Sequence, residues 1–207
     1  LDFAACLPGS VAAKCADFCY PRICPLCGAP GDRPGRLVCW ECFRLLPLRE
    51  NDGAICRLCG LAPAGMVEGG FCCASCLRQR PAFDGVRSAA SFGGGVRLLL
   101  HDFKYNRAIW LRNDLCDLLQ GGFDAHPGRG DVDLIVPVPL HPARQRRRTY
   151  NQSELLAEAL GRRLNLVVRK NLLRRARATP SQTRLSAAAR HANLRGAFEP
   201  LHAEWIR

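Results

Sequence analysis

The chain lacks any apolar run approaching the ~20 residues that a membrane-spanning helix needs, which argues against a helical membrane span. Asp2 stands at the start, with no basic leader ahead of a long apolar segment, so the expectation is a soluble, unexported, cytoplasmic protein. Aromatic residues make up only 7% of the 207 positions. The basic C-terminal segment holds Tyr150 and little else before Phe198, too little for an extended base-stacking groove. Acids are also scarce, 18 against 30 Lys and Arg, for a formal net charge of +12. Between residues 141 and 195 fourteen Lys and Arg face only Glu154 and Glu158, so the whole excess lies in that segment. A phosphate-bearing partner therefore belongs against the C-terminal part. With 48% hydrophobic residues the chain can build a substantial core in one or two domains.

Cysteine is what the chain has in excess. Thirteen is an odd number, and most fall in C-x-x-C pairs, a spacing suited to metal chelation in a reducing compartment rather than to a disulfide scaffold. Cys24-x2-Cys27-Gly28 recurs as Cys56-x2-Cys59-Gly60, and Cys39-x2-Cys42-Phe-Arg-x2-Pro47 recurs as Cys73-x2-Cys76-Leu-Arg-x2-Pro81. The repeat fixes the register: Cys73 is the counterpart of Cys39, and Cys72 is the spare. Each half offers four thiolates, and the Gly after the second cysteine supplies the positive φ that a metal-binding knuckle needs. An all-thiolate tetrahedral set favours zinc and leaves no open position for catalysis. The expectation is two structural zinc ions, held by Cys24, Cys27, Cys39 and Cys42 and by Cys56, Cys59, Cys73 and Cys76. A cross-braced arrangement, with the first and third pairs sharing an ion, is the alternative. Cys6, Cys15, Cys19 and Cys116 read as packing residues.

Composition divides the chain into a helical segment at 1–23, a Gly- and Pro-rich cysteine module at 24–82 and an ordinarily patterned domain at 83–207. Within the last, the pattern predicts a strand at 86–92, helices at 96–104 and 107–120, and a buried strand at 131–136. Pro137 and Pro139 stiffen a loop that leads to a helix over 152–164, capped by Asn151 or Ser153 and carrying Leu155, Leu156, Ala159, Leu160 and Leu164 on one face. A run at 166–168 completes a βαβ unit, and a short helix is expected at 186–192. Ligands of such sheets bind beyond the carboxyl ends of the strands, and the helix start at 151–153 offers unpaired N–H groups to an anion.

Four ordered blocks carry a resemblance: the double cysteine module ending in CLRQRPAFDGVRSA, then HDFKYNR, then DLIVPVPLHPARQRRRTYNQSELLAEAL, then RARATPSQTRLSAAARHANLRGAF. Together they resemble the ComF family of competence-associated, phosphoribosyltransferase-like proteins, over nearly all of residues 15–200. The resemblance implies an α/β fold, a double zinc ribbon followed by a type I phosphoribosyltransferase-like parallel sheet. It also implies a role in DNA uptake during natural transformation, beside a helicase-like competence partner. By the same resemblance, Arg148, Asn151 and Gln152 would contact phosphate or pyrophosphate, and Lys104, Arg177, Thr179, Gln182, Arg190 and Asn193 match family positions around the site. Lys104 reads equally as a surface lysine, and Gln182 and Asn193 as caps of local turns. Arg144, Arg146 and Arg147 are candidates for single-stranded DNA, or form a solvated basic face.

The chain departs from the family after Phe198. The paired-acid, Thr- and Gly-containing loop that holds phosphoribosyl pyrophosphate has no counterpart among these residues: there is no Asp-Asp pair and no Thr-Thr-Gly turn. The start at Leu1 and the ending at Arg207 give the expectation of a fragment, with its C-terminal part truncated. Three functions follow: a module that binds single-stranded DNA and protein partners during import, an active phosphoribosyltransferase that uses phosphoribosyl pyrophosphate and Mg²⁺ when full length, or a zinc-ribbon interaction scaffold.

Overall fold

A computed structural model of the chain describes residues 22–48, 55–62, 71–126, 128–183 and 185–202. The helical segment expected before residue 22, with Cys6, Cys15 and Cys19, lies outside them, as do residues 203–207. The chain forms two compact units, Leu1–His101 with Asn113–Arg129 and Asp102–Arg112 with Gly130–Arg207. The architecture is mixed α/β, with one small parallel strand pair and two cysteine clusters.

In the first unit each cysteine repeat folds as a tight knuckle followed by a short helix. Gly28 and Gly60 take φ of +76° and +69°, the left-handed turn that closes each knuckle. Their N–H groups donate back to the carbonyls of Cys24 and Cys56 at 2.9 and 2.8 Å. Helix α1 (Trp40–Arg44) starts from Cys39 and α2 (Ala74–Arg78) from Cys73. One helical turn then carries Cys42 and Cys76 back beside the cysteine that opens each helix. Two longer helices follow, α3 (Gly94–Tyr105) and α4 (Arg112–Asp124). Buried Val38, Leu46, Val96, Leu99, Leu115 and Cys116 form this unit's apolar interior. The strand expected at 86–92 does not form. That segment runs as a strap whose hydrogen bonds go to the cysteine module instead: Val86 N–H to Leu58 O at 2.7 Å and Ser91 N–H to Pro47 O at 2.8 Å, with a lone bridge between Leu48 and Ala90. The helix expected at 107–120 starts later, because a 3-10 turn at Ile109–Leu111 precedes α4.

The second unit is built on a βαβ crossover. Strand β1 (Leu134–Ile135) pairs in parallel with β2 (Val167–Val168), Leu134 opposite Val167 and Ile135 opposite Val168. Between them run α5 (Pro142–Arg148) and α6 (Gln152–Leu164). The expected bounds of α6 hold, and its buried residues are Gln152, Ala157, Ala159 and Gly161, while its leucines are half-buried. At Gly161 a Cβ would lie 2.4 Å from Val168 Cγ2 and 2.9 Å from Leu166 O, so the missing side chain is what lets the helix close onto β2.

Helix α5 replaces what reads in the sequence as a stiff loop. Its start is pre-set twice: Pro142 sits in the first turn, and His141 Nδ1 accepts the Ala143 N–H at 3.3 Å. Thr149, at φ +71°, ends it by donating its N–H to Gln145 O at 2.7 Å. A second pair of strands, β3 (Leu173–Arg175) and β4 (Phe198–Pro200), is antiparallel and embraces α7 (Ala187–Leu194), which Ser186 caps through the Ala189 N–H at 3.2 Å. Composition hides β3, because two of its three residues are arginine.

Candidate functional site

Two sets of four thiols gather in the first unit. The sulfurs of Cys24, Cys27, Cys39 and Cys42 all lie within 4.8 Å of one another, and so do those of Cys56, Cys59, Cys73 and Cys76. Consecutive pairs thus come together, not the crossed arrangement. Cys27 and Cys39 are 3.6 Å apart and Cys59 and Cys73 3.7 Å, against about 3.8 Å for sulfurs placed tetrahedrally at 2.3 Å from one ion. All ten described cysteines are free thiols.

The electrostatics of each set suit a cation. Burial pushes the Cys24 thiol up, but backbone N–H groups of Cys39, Leu26 and Cys27 overcome it and bring the pKa down to about 7. At Cys56 the same opposition, with N–H groups from Cys59, Cys73 and Leu58, brings it to about 6. The Cys73 N–H to Cys56 sulfur bond measures 3.3 Å. Without a cation Cys42 and Cys76 resist ionisation: hydrogen bonding to Cys27 and burial push Cys42 up, and burial with its cysteine neighbours pushes Cys76 to about 12. A bound cation would reverse that. Each set can therefore hold a metal ion, and four sulfurs are consistent with zinc.

Acidic residues on α4 brace the first set. Asp114 is 1% exposed and accepts the N–H groups of Leu37 and Val38 at 3.1 and 3.2 Å, next to Cys39, and Arg33 Nη1 at 3.4 Å. Asp117 takes Arg33 Nη2 at 2.6 Å and Arg36 through Nε and Nη2 at 2.6 and 2.8 Å. The Arg33 guanidinium also lies 3.9 Å from the Phe43 ring centroid. Spacing alone does not disclose this brace, since its partners are some eighty positions apart.

In the second unit the residues tied to phosphate or DNA divide into three groups. Arg144 and Arg147, three apart on α5, share one side and line a hollow of about 230 Å³ with His141, Ala143, Ala178 and Thr179. Arg146 is exposed and does not line it. Arg148 instead stacks on Tyr105 at 4.7 Å, and its Nε is buried without a hydrogen-bond partner. Asn151 caps α6 through the Ser153 N–H and donates to Val138 O, both at 3.1 Å. Gln152 is 6% exposed, and its Nε2 is likewise unpartnered. Lys104 is exposed in the last turn of α3. The third group braces its own loop. Arg177 donates to the carbonyls of Asn193 and Arg195 at 3.0 and 2.7 Å, Arg190 to Gln182 O at 3.2 Å, and Asn193 to Pro180 O at 3.4 Å.

Sequence reasoning passed over Arg175. It is 8% exposed, its guanidinium lies 5.2 Å from the Phe198 ring centroid, and it donates to the Thr179 hydroxyl. Burial and the charge of Arg144 both lower its pKa.

Comparison with known proteins sets these features in a family. The chain is 34% identical to the DNA utilization protein YhgH of Salmonella typhi over 181 residues, 86% of this chain and 77% of that protein. To the YhgH protein of Escherichia coli K12 it is 32% identical over 183 residues, with the same shares. The chain belongs to the ComF family. Competence protein F of Haemophilus influenzae, 33% identical over 129 residues, is matched over 61% of this chain. The chain spans 56% of the length of that ComF relative, just over half. No family model matches the chain, and no solved structure does. Among the described residues of this ComF chain, no helix is long and apolar enough to cross a membrane.

Proposed function

We propose that the chain takes part in DNA uptake or DNA use, as the names of its relatives indicate, by holding single-stranded DNA on the basic face of α5. The observation that carries this reading is the state of Arg144, Arg146 and Arg147: among the described residues no carboxylate pairs with any of them, whereas Arg33, Arg36, Lys170 and Arg174 all have one. Unneutralised arginines on one short helix suit a phosphate backbone, and binding then releases counterions. Two zinc ions hold the ribbons within residues 24–82, and residues 83–207 form a phosphoribosyltransferase-like body of cytoplasmic location. A helicase-like competence protein is the partner class that fits this role.

Fluorescence anisotropy with a labelled single strand tests it. Affinity falls steeply between low and moderate salt. Changing Arg144, Arg146 and Arg147 together to Ala lowers the salt slope by about 2, at roughly 0.7 for each phosphate no longer neutralised. Binding that ignores salt, or survives the triple change, would overturn the reading.

A second reading, transfer at a phosphoribosyl centre in the full-length protein, is supported by two of the buried donors without partners, Arg148 Nε and Gln152 Nε2. They suit a phosphate or pyrophosphate oxygen, with Asn151 and Lys104 beside them in the family pattern. Saturable, Mg²⁺-dependent heat on titrating phosphoribosyl pyrophosphate into the full-length protein is the expected result, and no heat would dismiss it.

A further inference from the structure

The brace on the first cysteine set grips the chain on both sides of Cys39 and Cys42. Asp114, 1% exposed on α4, takes one backbone N–H on each carboxylate oxygen, Leu37 at 3.1 Å and Val38 at 3.2 Å. Arg33 Nη1 donates to the Val38 carbonyl at 3.4 Å, so both polar backbone groups of the residue before Cys39 are held. Asp114 holds that same guanidinium, and beyond Cys42 it lies 3.9 Å from the centroid of the Phe43 ring. Helix α1, which carries Cys42, has five residues and none of them is buried. Its own packing therefore does little to aim the sulfurs of this pair.

The grip extends to the other two thiols. The Cys39 N–H is one of the donors to the Cys24 sulfur, so the direction of that donor follows the backbone that Asp114 fixes. The Arg33 carbonyl accepts from Arg22 at 3.3 Å, and the Arg22 carbonyl accepts the Gly31 N–H at 2.6 Å, which ties the brace to the chain entering and leaving the first knuckle. Four sulfurs bind one ion well only when all of them stand at the metal–sulfur distance together. Groups that hold the ligands rather than the ion set how often that happens, and losing one typically weakens metal binding by about 10- to 100-fold.

We propose that Asp114 is a positioning residue for the metal ion of the first set. It fixes the approach to Cys39 and, through the Cys39 N–H, the Cys24 sulfur, so a carboxylate on α4 governs how tightly Cys24, Cys27, Cys39 and Cys42 hold their ion. The second set, on its own segment, is the internal control. The inference rests on the reading of each set as a metal site.

Zinc competition against a chromogenic chelator and cobalt substitution, both on the full chain, test it. Cys59→Ser leaves the first set complete and Cys27→Ser leaves the second, each at a thiol that is not fully buried. Asp114→Asn keeps the side-chain size but can accept only one of the two N–H groups. In the Cys59→Ser background it weakens zinc binding by about tenfold or more and shifts the cobalt–thiolate absorption bands; in the Cys27→Ser background it changes neither. Asp117→Asn, at a part-exposed position that supports Arg33 rather than the backbone, weakens the first set severalfold, and it decides the matter if Asp114→Asn does not fold. Glu41→Gln, exposed on α1 in the same ribbon, leaves both sets unchanged. Unchanged first-set affinity in folded Asp114→Asn, or equal weakening of both sets, would overturn the positioning role. So would an Asp117→Asn chain that binds as the unaltered one does, where Asp114→Asn does not fold. Absence of cobalt–thiolate bands from the unaltered chain would overturn the metal reading and this role with it, whereas full bands that ignore Asp114 would overturn the role alone.

Discussion

Asp114 is held by three donors and reached by almost no water, so its two side-chain oxygens have no substitute partners. Changing it to Ala orphans the Leu37 and Val38 N–H groups and leaves Arg33 with Asp117 as its one carboxylate partner. The expected loss is about 2–4 kcal/mol of unfolding free energy, measured by urea denaturation of the zinc-loaded chain. Asp117→Ala should cost less, because that side chain is 16% exposed and water screens what it leaves behind. The eight clustered cysteines were legible from the sequence, since a repeated spacing identifies residues that must converge on one point. Asp114 was not: an aspartate in an amphipathic helix pattern looks the same whether it meets water or a pair of distant amides. Arg175 escaped for the same reason, as one arginine among fourteen basic residues in its segment.

Helix α6 shows how far an element can be read from its own residues. Its bounds, its cap and its place before a parallel strand all follow from local chemistry, because the cap and the helix period act within a few positions. Asn151→Ala removes both the Ser153 cap and the bond to Val138 O, and should destabilise the second unit by about 2 kcal/mol in chemical denaturation. Gly161→Ala is the counter-case. Its helix propensity improves, yet a Cβ would collide with Val168 and Leu166, so a net loss of about 1–3 kcal/mol is expected by the same measurement. Helix α5 was hidden by Pro137 and Pro139, which read as the start of a stiff loop, until His141 and Pro142 are seen to start a helix. The expected strand at 86–92 failed for a tertiary reason: its backbone partners are the second knuckle at Leu58 and the segment after α1 at Pro47 and Leu48, not a neighbouring strand.

At the scale of the whole molecule, the cysteine module has, among the described residues, few buried side chains other than its clustered cysteines. Around Cys56, Cys73 and Cys76 the described apolar packing is limited to Leu58, Phe71 and the neighbouring cysteines, so a bound metal ion would supply much of its folding energy. About two zinc ions per chain are expected by metal analysis, and one or none would dismiss the two-site reading. Chelation should abolish the cooperative unfolding of the first unit. Acidification should do the same: release of metal returns protons to the thiolates, so stability falls as pH falls, and zinc release monitored with a chromogenic chelator should follow.

The sequence by itself determined the two cysteine sets, the place of α6, the basic character of the C-terminal part and the family, because each is written in spacing, period or composition within a short stretch. Only the tertiary structure decided which of the many arginines are neutralised and which are not. Charge pairing depends on what folding brings across tens of residues, and that placed Arg33 and Arg36 against acids and left Arg175 buried beside Arg144 with a hydroxyl and a ring for company.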